Sequence, residues 1–235
     1  MIAKKYLLTL LLLLGLSSIG FSAEPVEKPN YLSPSSVDLV HILAPPPPVD
    51  SAAGNADLQA VLEAQRTRTQ AEVASAQADA QISVFRFADV IGSGFKPENL
   101  PFTTMFFDRI SADSKQVIIA AKAYFNRPRP FVTDSKVQPI VKEPANASYP
   151  SGHATFAYTD GIILANMLPE KAPAIFDRAQ IYAHNRVVGG VHYPTDVEAG
   201  RISGSVIDSV LLHDPHFMED YNKSRLEVRH ALGLQ

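Results

Sequence analysis

Cysteine is absent from all 235 residues. No disulfide can staple this fold and no lipid can be attached through a thiol, so stability has to come from core packing. Charge is sparse as well: 19% of the residues are charged and the net charge is −3. A chain without a basic excess lacks the electrostatic footprint of a nucleic-acid binder. Past the N-terminus, no apolar run approaches the roughly 18 uninterrupted residues of a membrane span. Strand alternation is weak throughout and no internal repeat is found. What is present is a 46% apolar sequence, long enough for one domain with a real core.

The N-terminus carries Lys4 and Lys5, then a leucine-rich run from Leu7 to Leu16, then small residues around Gly20, Ser22 and Ala23. This is the pattern of a secretory signal peptide, expected over 1–23 with cleavage near 20–23; a membrane anchor is the other reading of a run that is short for a span. Residues 24–55 are rich in proline, with four in a row from Pro45 to Pro48. Polyproline favours extended, unpaired backbone, and an arm lying on the surface is expected. Residues 56–235 form the remaining unit. Leu58, Val61 and Leu62 share a helical face, and helices are expected over 69–91, 102–110, 114–125, 152–167, 173–188, 195–213 and 217–232. The class is all-α, one domain.

Three stretches carry chemistry. In "KAYFNRPRP", Lys122 ends a helical stretch and Arg129 lies between Pro128 and Pro130, which stiffen the backbone presenting it. Arginine suits bidentate contact with phosphate oxygens and lysine adds a point charge; a solvated basic turn is the plainer reading. In "SYPSGHATF", Ser151 is a helix cap, Gly152 permits close backbone approach, and His153 falls in the first turn. The unpaired amides and dipole of such a helix start attract anions, although a cap alone needs no ligand. In "NRVVGGVHYPTDVEAG", Asp196 follows His192 by four residues, so its carboxylate reaches back to the imidazole and fixes the tautomer. A polar cap pair or a metal site are the other readings; the metal site lacks a third and fourth ligand at the usual spacing. His41, His184, His213, His216 and His230 lack comparable surroundings. Taken together, three cations, helix-start amides, two histidines and an orienting carboxylate are what metal-free phosphoryl transfer requires.

Lys122 with six residues before Arg129-Pro130, then Pro150-Ser151-Gly152-His153, then Arg186 with five residues before His192 and three more before Asp196, resembles the three-part signature of the type 2 phosphatidic acid phosphatase superfamily, which includes the vanadium haloperoxidases. Within it the chain looks like the class A bacterial non-specific acid phosphatases, through the signal peptide, the proline run, "LPFT" at 100–103 and "AKAYFNRPRPF" at 121–131. The resemblance implies a helical bundle of the acid phosphatase / vanadium haloperoxidase type. It implies His192 as a nucleophile forming a phosphohistidine, Asp196 as its orienting group, and His153 as general acid. Lys122, Arg129, Arg186, Ser151 and Gly152 are then the phosphate-binding set. No metal and no cofactor are implied. The substrate is a small phosphomonoester, with transfer to a second alcohol as a side reaction. The location is periplasmic, without stable membrane association once the leader is removed, and a homo-oligomer is suggested. Asn185 departs from the family, which usually has serine there. The alternatives are a lipid phosphate or pyrophosphate phosphatase, a vanadate-dependent haloperoxidase, and a phosphate-binding protein without turnover.

Overall fold

The computed structural model describes residues 30–235, so the expected leader over 1–23 lies outside the described residues. Every regular element among them is a helix. In chain order they are α1 (Leu39–Ile42), α2 (Ala52–Thr67), α3 (Gln70–Ala78), a 3-10 turn at Val84–Phe87 running into α4 (Ala88–Ile91), a 3-10 turn at Pro97–Asn99, α5 (Pro101–Phe125) and α6 (Pro130–Thr133). After a long loop come α7 (Gly152–Met167), α8 (Ala172–Val188), α9 (Pro194–Leu211) and α10 (Pro215–Ala231). The last four start and stop within two residues of the expected bounds.

Helix α7 is the centre of the bundle. Apolar and small residues cover nearly its whole circumference, as expected of a helix packed on all sides. It lies between α8 and α9 and also touches α5 and α10. The α7–α9 contact is close because α9 carries glycine there. A Cβ on Gly200 would sit 2.6 Å from both Ala154 Cβ and Ser151 O, and one on Gly204 would sit 2.8 Å from Thr155 O. A larger residue at either position would push apart the two helix starts that hold His153 and Asp196. The far end of the core is aromatic, with Phe106 and Phe217 at 5.3 Å between ring centroids and Tyr31 against both.

Three expectations are corrected. The 24–55 stretch has no regular element at Pro45 to Pro48, but it is more than a surface arm: Leu32, Val37, Leu39 and Leu43 are buried in the core. Each contributes about 1.5–3 kcal/mol on burial. Asp113 pins its start by accepting the amides of Asn30, Tyr31 and Leu32 at 3.1, 2.7 and 3.0 Å. The arm also ends early, because the Ser51 hydroxyl accepts Gly54 N–H at 3.0 Å and starts α2 at Ala52.

The two helices expected over 102–110 and 114–125 are one helix. Ser111 and Asp113 look like a break in sequence, yet the Asp113 carboxylate is occupied by the arm and leaves the helical ladder intact. Conversely, the helix expected over 69–91 stops at Ala78. Its start is secured by a capping box between Thr69 and Glu72. Its end is set by Asp79, whose carboxylate is drawn into a buried cluster with Arg86, Arg178 and Asn185.

Candidate functional site

The long loop between α6 and α7 brings the three stretches to one place. Lys122 comes from the last turn of α5, Arg129 from the α6 entry, Gly152 and His153 from the start of α7, Arg186 from the last turn of α8, and His192 from the loop before α9. All six line one cavity of about 230 Å³. Ser151 and Asp196 stand immediately behind it, both fully buried. The eight residues singled out in sequence are therefore together, six at the surface of the cavity and two supporting it.

Asp196 is the hub of the support. Its Oδ2 accepts the Tyr193 amide at 2.9 Å, the Ser148 hydroxyl at 2.5 Å and His192 Nδ1–H at 3.2 Å. Its Oδ1 accepts Arg127 Nη1–H at 2.6 Å. With the proton of His192 committed to Nδ1, the lone pair is on Nε2, and Arg129 Nη1–H lies 3.1 Å from it. Burial, followed by the charges of Arg129, Lys122 and Arg186, holds His192 well below the usual imidazole range, so this ring is neutral and its Nε2 lone pair accepts Arg129 Nη1–H.

The cations are crowded and desolvated. Arg129 is fixed by Asn146 O at 2.8 Å, Asn146 Oδ1 at 2.7 Å and Val191 O at 2.7 Å. Lys122 Nζ donates to Ala147 O at 2.6 Å and to Ser148 O at 3.2 Å. Burial, then Arg129, lowers Lys122 to about 7, with Asp196 opposing. Burial lowers Arg186 to about 10, and among the described residues its Nε and Nη1 have no hydrogen-bond partner although the residue is only 2% exposed. An ordinary buried arginine is paired, so an unpartnered guanidinium on a cavity wall is a site for an anion.

The α7 start completes the cradle. Ser151 Oγ accepts Ala154 N–H at 3.3 Å as the cap, and the earliest amides of the helix have no partner within it. A Cβ on Gly152 would meet nothing within 4 Å. The protein does not need glycine there for its own packing; the hydrogen keeps the cavity open in front of the amides. His153 Nε2–H donates to Ala80 O at 3.0 Å, which leaves Nδ1 as the free nitrogen. Burial, then Arg186, pushes His153 down to about 3. With no anion offsetting the nearby cations, Nδ1 carries no proton at mildly acidic pH, although a general acid needs one there.

Sequence reasoning missed Arg127, Asp57, Ser148 and Asn146. Arg127 lies 4.0 Å over the Tyr193 ring and ties Asp196 to Asp57, 2.8 Å from Nη2. Asp57 also accepts the Thr195 hydroxyl. Arg127 was visible in the quoted motif. Asp57, on α2, had no signal at all. Asn185 turns away from the cavity and donates to Ser75 Oγ at 2.9 Å and Asp79 Oδ2 at 2.7 Å. Among the described residues, no helix is long and apolar enough to cross a membrane.

Three comparisons bear on this geometry. Residues 104–218 match the model of the PAP2 superfamily. The chain is 31% identical over 222 residues to a non-specific acid phosphatase of Salmonella typhimurium, covering 91% of this chain and 88% of that protein. It is also 31% identical over 232 residues to an acid phosphatase of Zymomonas mobilis, covering 92% and 87%. In fold it is similar to a bacterial vanadium-dependent iodoperoxidase, with a TM-score of 0.57 at 18% identity over 73% of this chain and 52% of that one, about half its length.

Proposed function

This chain belongs to the PAP2 superfamily, and from that premise we propose that it is a secreted acid phosphatase that hydrolyses phosphate monoesters through a phosphohistidine. The observation that carries the reading is Arg186, a buried guanidinium whose Nε and Nη1 have no partner among the described residues, on the wall of the same cavity as a neutral, carboxylate-oriented histidine.

The phosphoryl group sits among Lys122, Arg129, Arg186 and the Gly152 and His153 amides, which balance charge on its equatorial oxygens without a metal. His192 Nε2 attacks phosphorus in line with the leaving oxygen. The N–P bond forms as the P–O bond breaks, and Asp196 stabilises the charge that develops on the ring. The proton for the leaving oxygen comes from His153 Nδ1. Its low value is a consequence of burial and then of Arg186, Arg129 and Lys122. A bound phosphate dianion offsets those charges and raises it. At mildly acidic pH the ester arrives partly as the monoanion, since its second ionisation lies near pH 6, and passes that proton to His153 Nδ1, which delivers it to the leaving oxygen. The second half-reaction runs backwards: His153 takes a proton from water as the oxygen attacks phosphorus, and inorganic phosphate leaves.

The leaving group meets an apolar wall of Ile82, Ile118, Ile119 and Phe156, with Lys115 beside it. Aryl and other apolar alcohols are the expected leaving groups, ahead of small polar ones such as glycerol.

The deciding experiment is hydrolysis of p-nitrophenyl phosphate at about pH 5.5 in excess chelator, comparing wild type with His192→Ala. Activity that survives chelator and drops by about 10⁴-fold or more in the variant supports the mechanism. Activity abolished by chelator, or retained by His192→Ala, overturns it. The same chelator-treated enzyme, quenched during turnover of a phosphorus-labelled ester, should carry one alkali-stable label per chain.

A further inference from the structure

A second cavity, of about 270 Å³, lies on the other side of the segment 81–85, between that segment, α5 and α7. We propose that it binds a hydrated divalent cation, Mg²⁺ or Ca²⁺, held by Asp160 on its floor and Asp108 at its mouth.

Asp160 projects from the middle of α7. It is 5% exposed, lines the cavity, and its Oδ1 has no hydrogen-bond partner among the described residues. Buried carboxylates in stable proteins are paired with a cation, hydrogen-bonded, or coordinate a metal. No lysine, arginine or histidine lines this cavity. What faces Asp160 instead is a second carboxylate, Asp108 on α5, close enough to raise the Asp160 carboxyl further after burial has already done so. Behind it on α9, outside the cavity lining, Asp208 is 2% exposed with neither oxygen partnered among the described residues and is in electrostatic contact with Asp160. Among the described residues no protein cation lines the cavity that Asp160 and Asp108 share.

The rest of the polar lining is Ser83, Thr104, Ser111 and Gln81, whose side chains each carry an oxygen, with the Thr104 hydroxyl also donating to Leu100 O at 2.8 Å. Hard divalent cations take oxygen donors, and Mg²⁺ characteristically keeps several waters while one or two carboxylates hold it. The described residues contain no group of three or more His, Cys, Asp or Glu able to grip a bare ion, so an ion here keeps most of its water. The space fits that state: six waters occupy roughly 180 Å³ at about 30 Å³ each. The segment that forms one wall connects the two cavities, because Ile82 lines both and Ala80 O holds His153. An ion in this cavity would brace that segment without reaching the phosphate cradle.

The test reads thermal unfolding of the mature chain, so it is independent of whether the phosphatase reading stands. Wild type, Asp160→Asn and Asp108→Asn are melted in MgCl₂, in CaCl₂, and in KCl of matched ionic strength. At a concentration about 100 times Kd, the wild-type midpoint should rise by roughly 5–10 °C over KCl, and both variants should lose the rise. Asp108 is exposed on α5, so Asp108→Asn carries the test if Asp160→Asn fails to fold. No rise over KCl in the wild type overturns the proposal and leaves Asp160 as a protonated core acid. A rise retained in either variant overturns the two-carboxylate site.

Discussion

Arg178 and Arg186 stand about two turns apart on the same helix, α8, and are 4% and 2% exposed. Arg178 is saturated. Its Nη1 and Nη2 donate to Asp79 at 3.0 and 2.6 Å, and its Nε donates to Asp89 at 2.9 Å. Burial pulls its pKa down, but the Asp79 hydrogen bonds and charge outweigh burial and leave it above the ordinary value. Arg186 has burial and no hydrogen-bonded carboxylate among the described residues; the charges of Tyr182 and Asp79 oppose burial without offsetting it, and the group falls to about 10. One residue type on one helix, equally buried, does two jobs. The saturated arginine holds α8 to the end of α3. The unsaturated one is held by the fold in a state that an anion completes. Partner count, not burial or charge, separates structure from function here.

The sharpest way to break that comparison is to delete each arginine in turn. Arg186→Ala should lower kcat/KM by about 10³-fold, in the range of lost phosphoryl-clamping charges. It should leave the unfolding midpoint unchanged or slightly higher, because an uncompensated buried charge is removed. Arg178→Ala should do the opposite. It leaves the fully buried Asp79 with only Arg86 and Asn185 as donors, and should cost about 3 kcal/mol, lowering the midpoint by roughly 6–12 °C. Turnover per folded molecule should fall less than about tenfold, since no atom of Arg178 reaches the cavity. An Arg178→Ala enzyme that melts normally but has lost turnover would erase the distinction.

Lys122 sharpens it further, because this cation is only half committed. A lysine lowered to about 7 is charged below that pH and neutral above it. The cradle therefore loses one of its three cations as pH rises through neutrality, and kcat/KM should fall about tenfold per pH unit above about pH 7. Bound phosphate raises the lysine again, so kcat should fall at higher pH than kcat/KM does. Arginine stays charged at these pH values. In Lys122→Arg the falling limb should move up in pH even though the overall rate drops. A limb that stays put would assign it to another group.

The contrast also explains what could be read in advance. The cavity side was legible because phosphate chemistry demands particular residue types at fixed spacings along the chain: Lys122 to Arg129, Ser151 to His153, Arg186 to His192 to Asp196. Helices α8, α9 and α10 were legible from apolar periodicity, and α7 from the Ser151 cap at its start. The support side was not. Asp57 reaches Arg127 across 70 positions and Arg178 reaches Asp79 across 99, and such pairs leave no local pattern. Asp79 and Asp113 were misleading for the same reason. Both look like helix breakers, but Asp79 ends its helix because Arg86, seven residues on, and the distant Arg178 and Asn185 claim it, and Asp113 leaves α5 unbroken because residues 30–32 occupy its carboxylate. The apolar residues of the arm were hidden by the prolines around them.

Asn185 tests where the boundary between the two sides falls. It precedes Arg186 in sequence and stands where relatives of this family usually have serine, so the motif assigns it to the cavity. Successive helical residues point about 100° apart, and here its Nδ2 goes to Asp79 and Ser75, on the Arg178 side. Serine at this position has a shorter reach and loses one or both of those hydrogen bonds, while Arg178 and Arg86 still cover the Asp79 charge. Asn185→Ser should therefore cost about 1 kcal/mol, a midpoint shift of roughly 2–4 °C, with kcat/KM inside about twofold of wild type. If serine instead raised turnover by more than about threefold and left the melt unchanged, Asn185 would belong with Arg186. The support network would then be tuning the cradle, and the line between the two arginines would have to be redrawn through that residue.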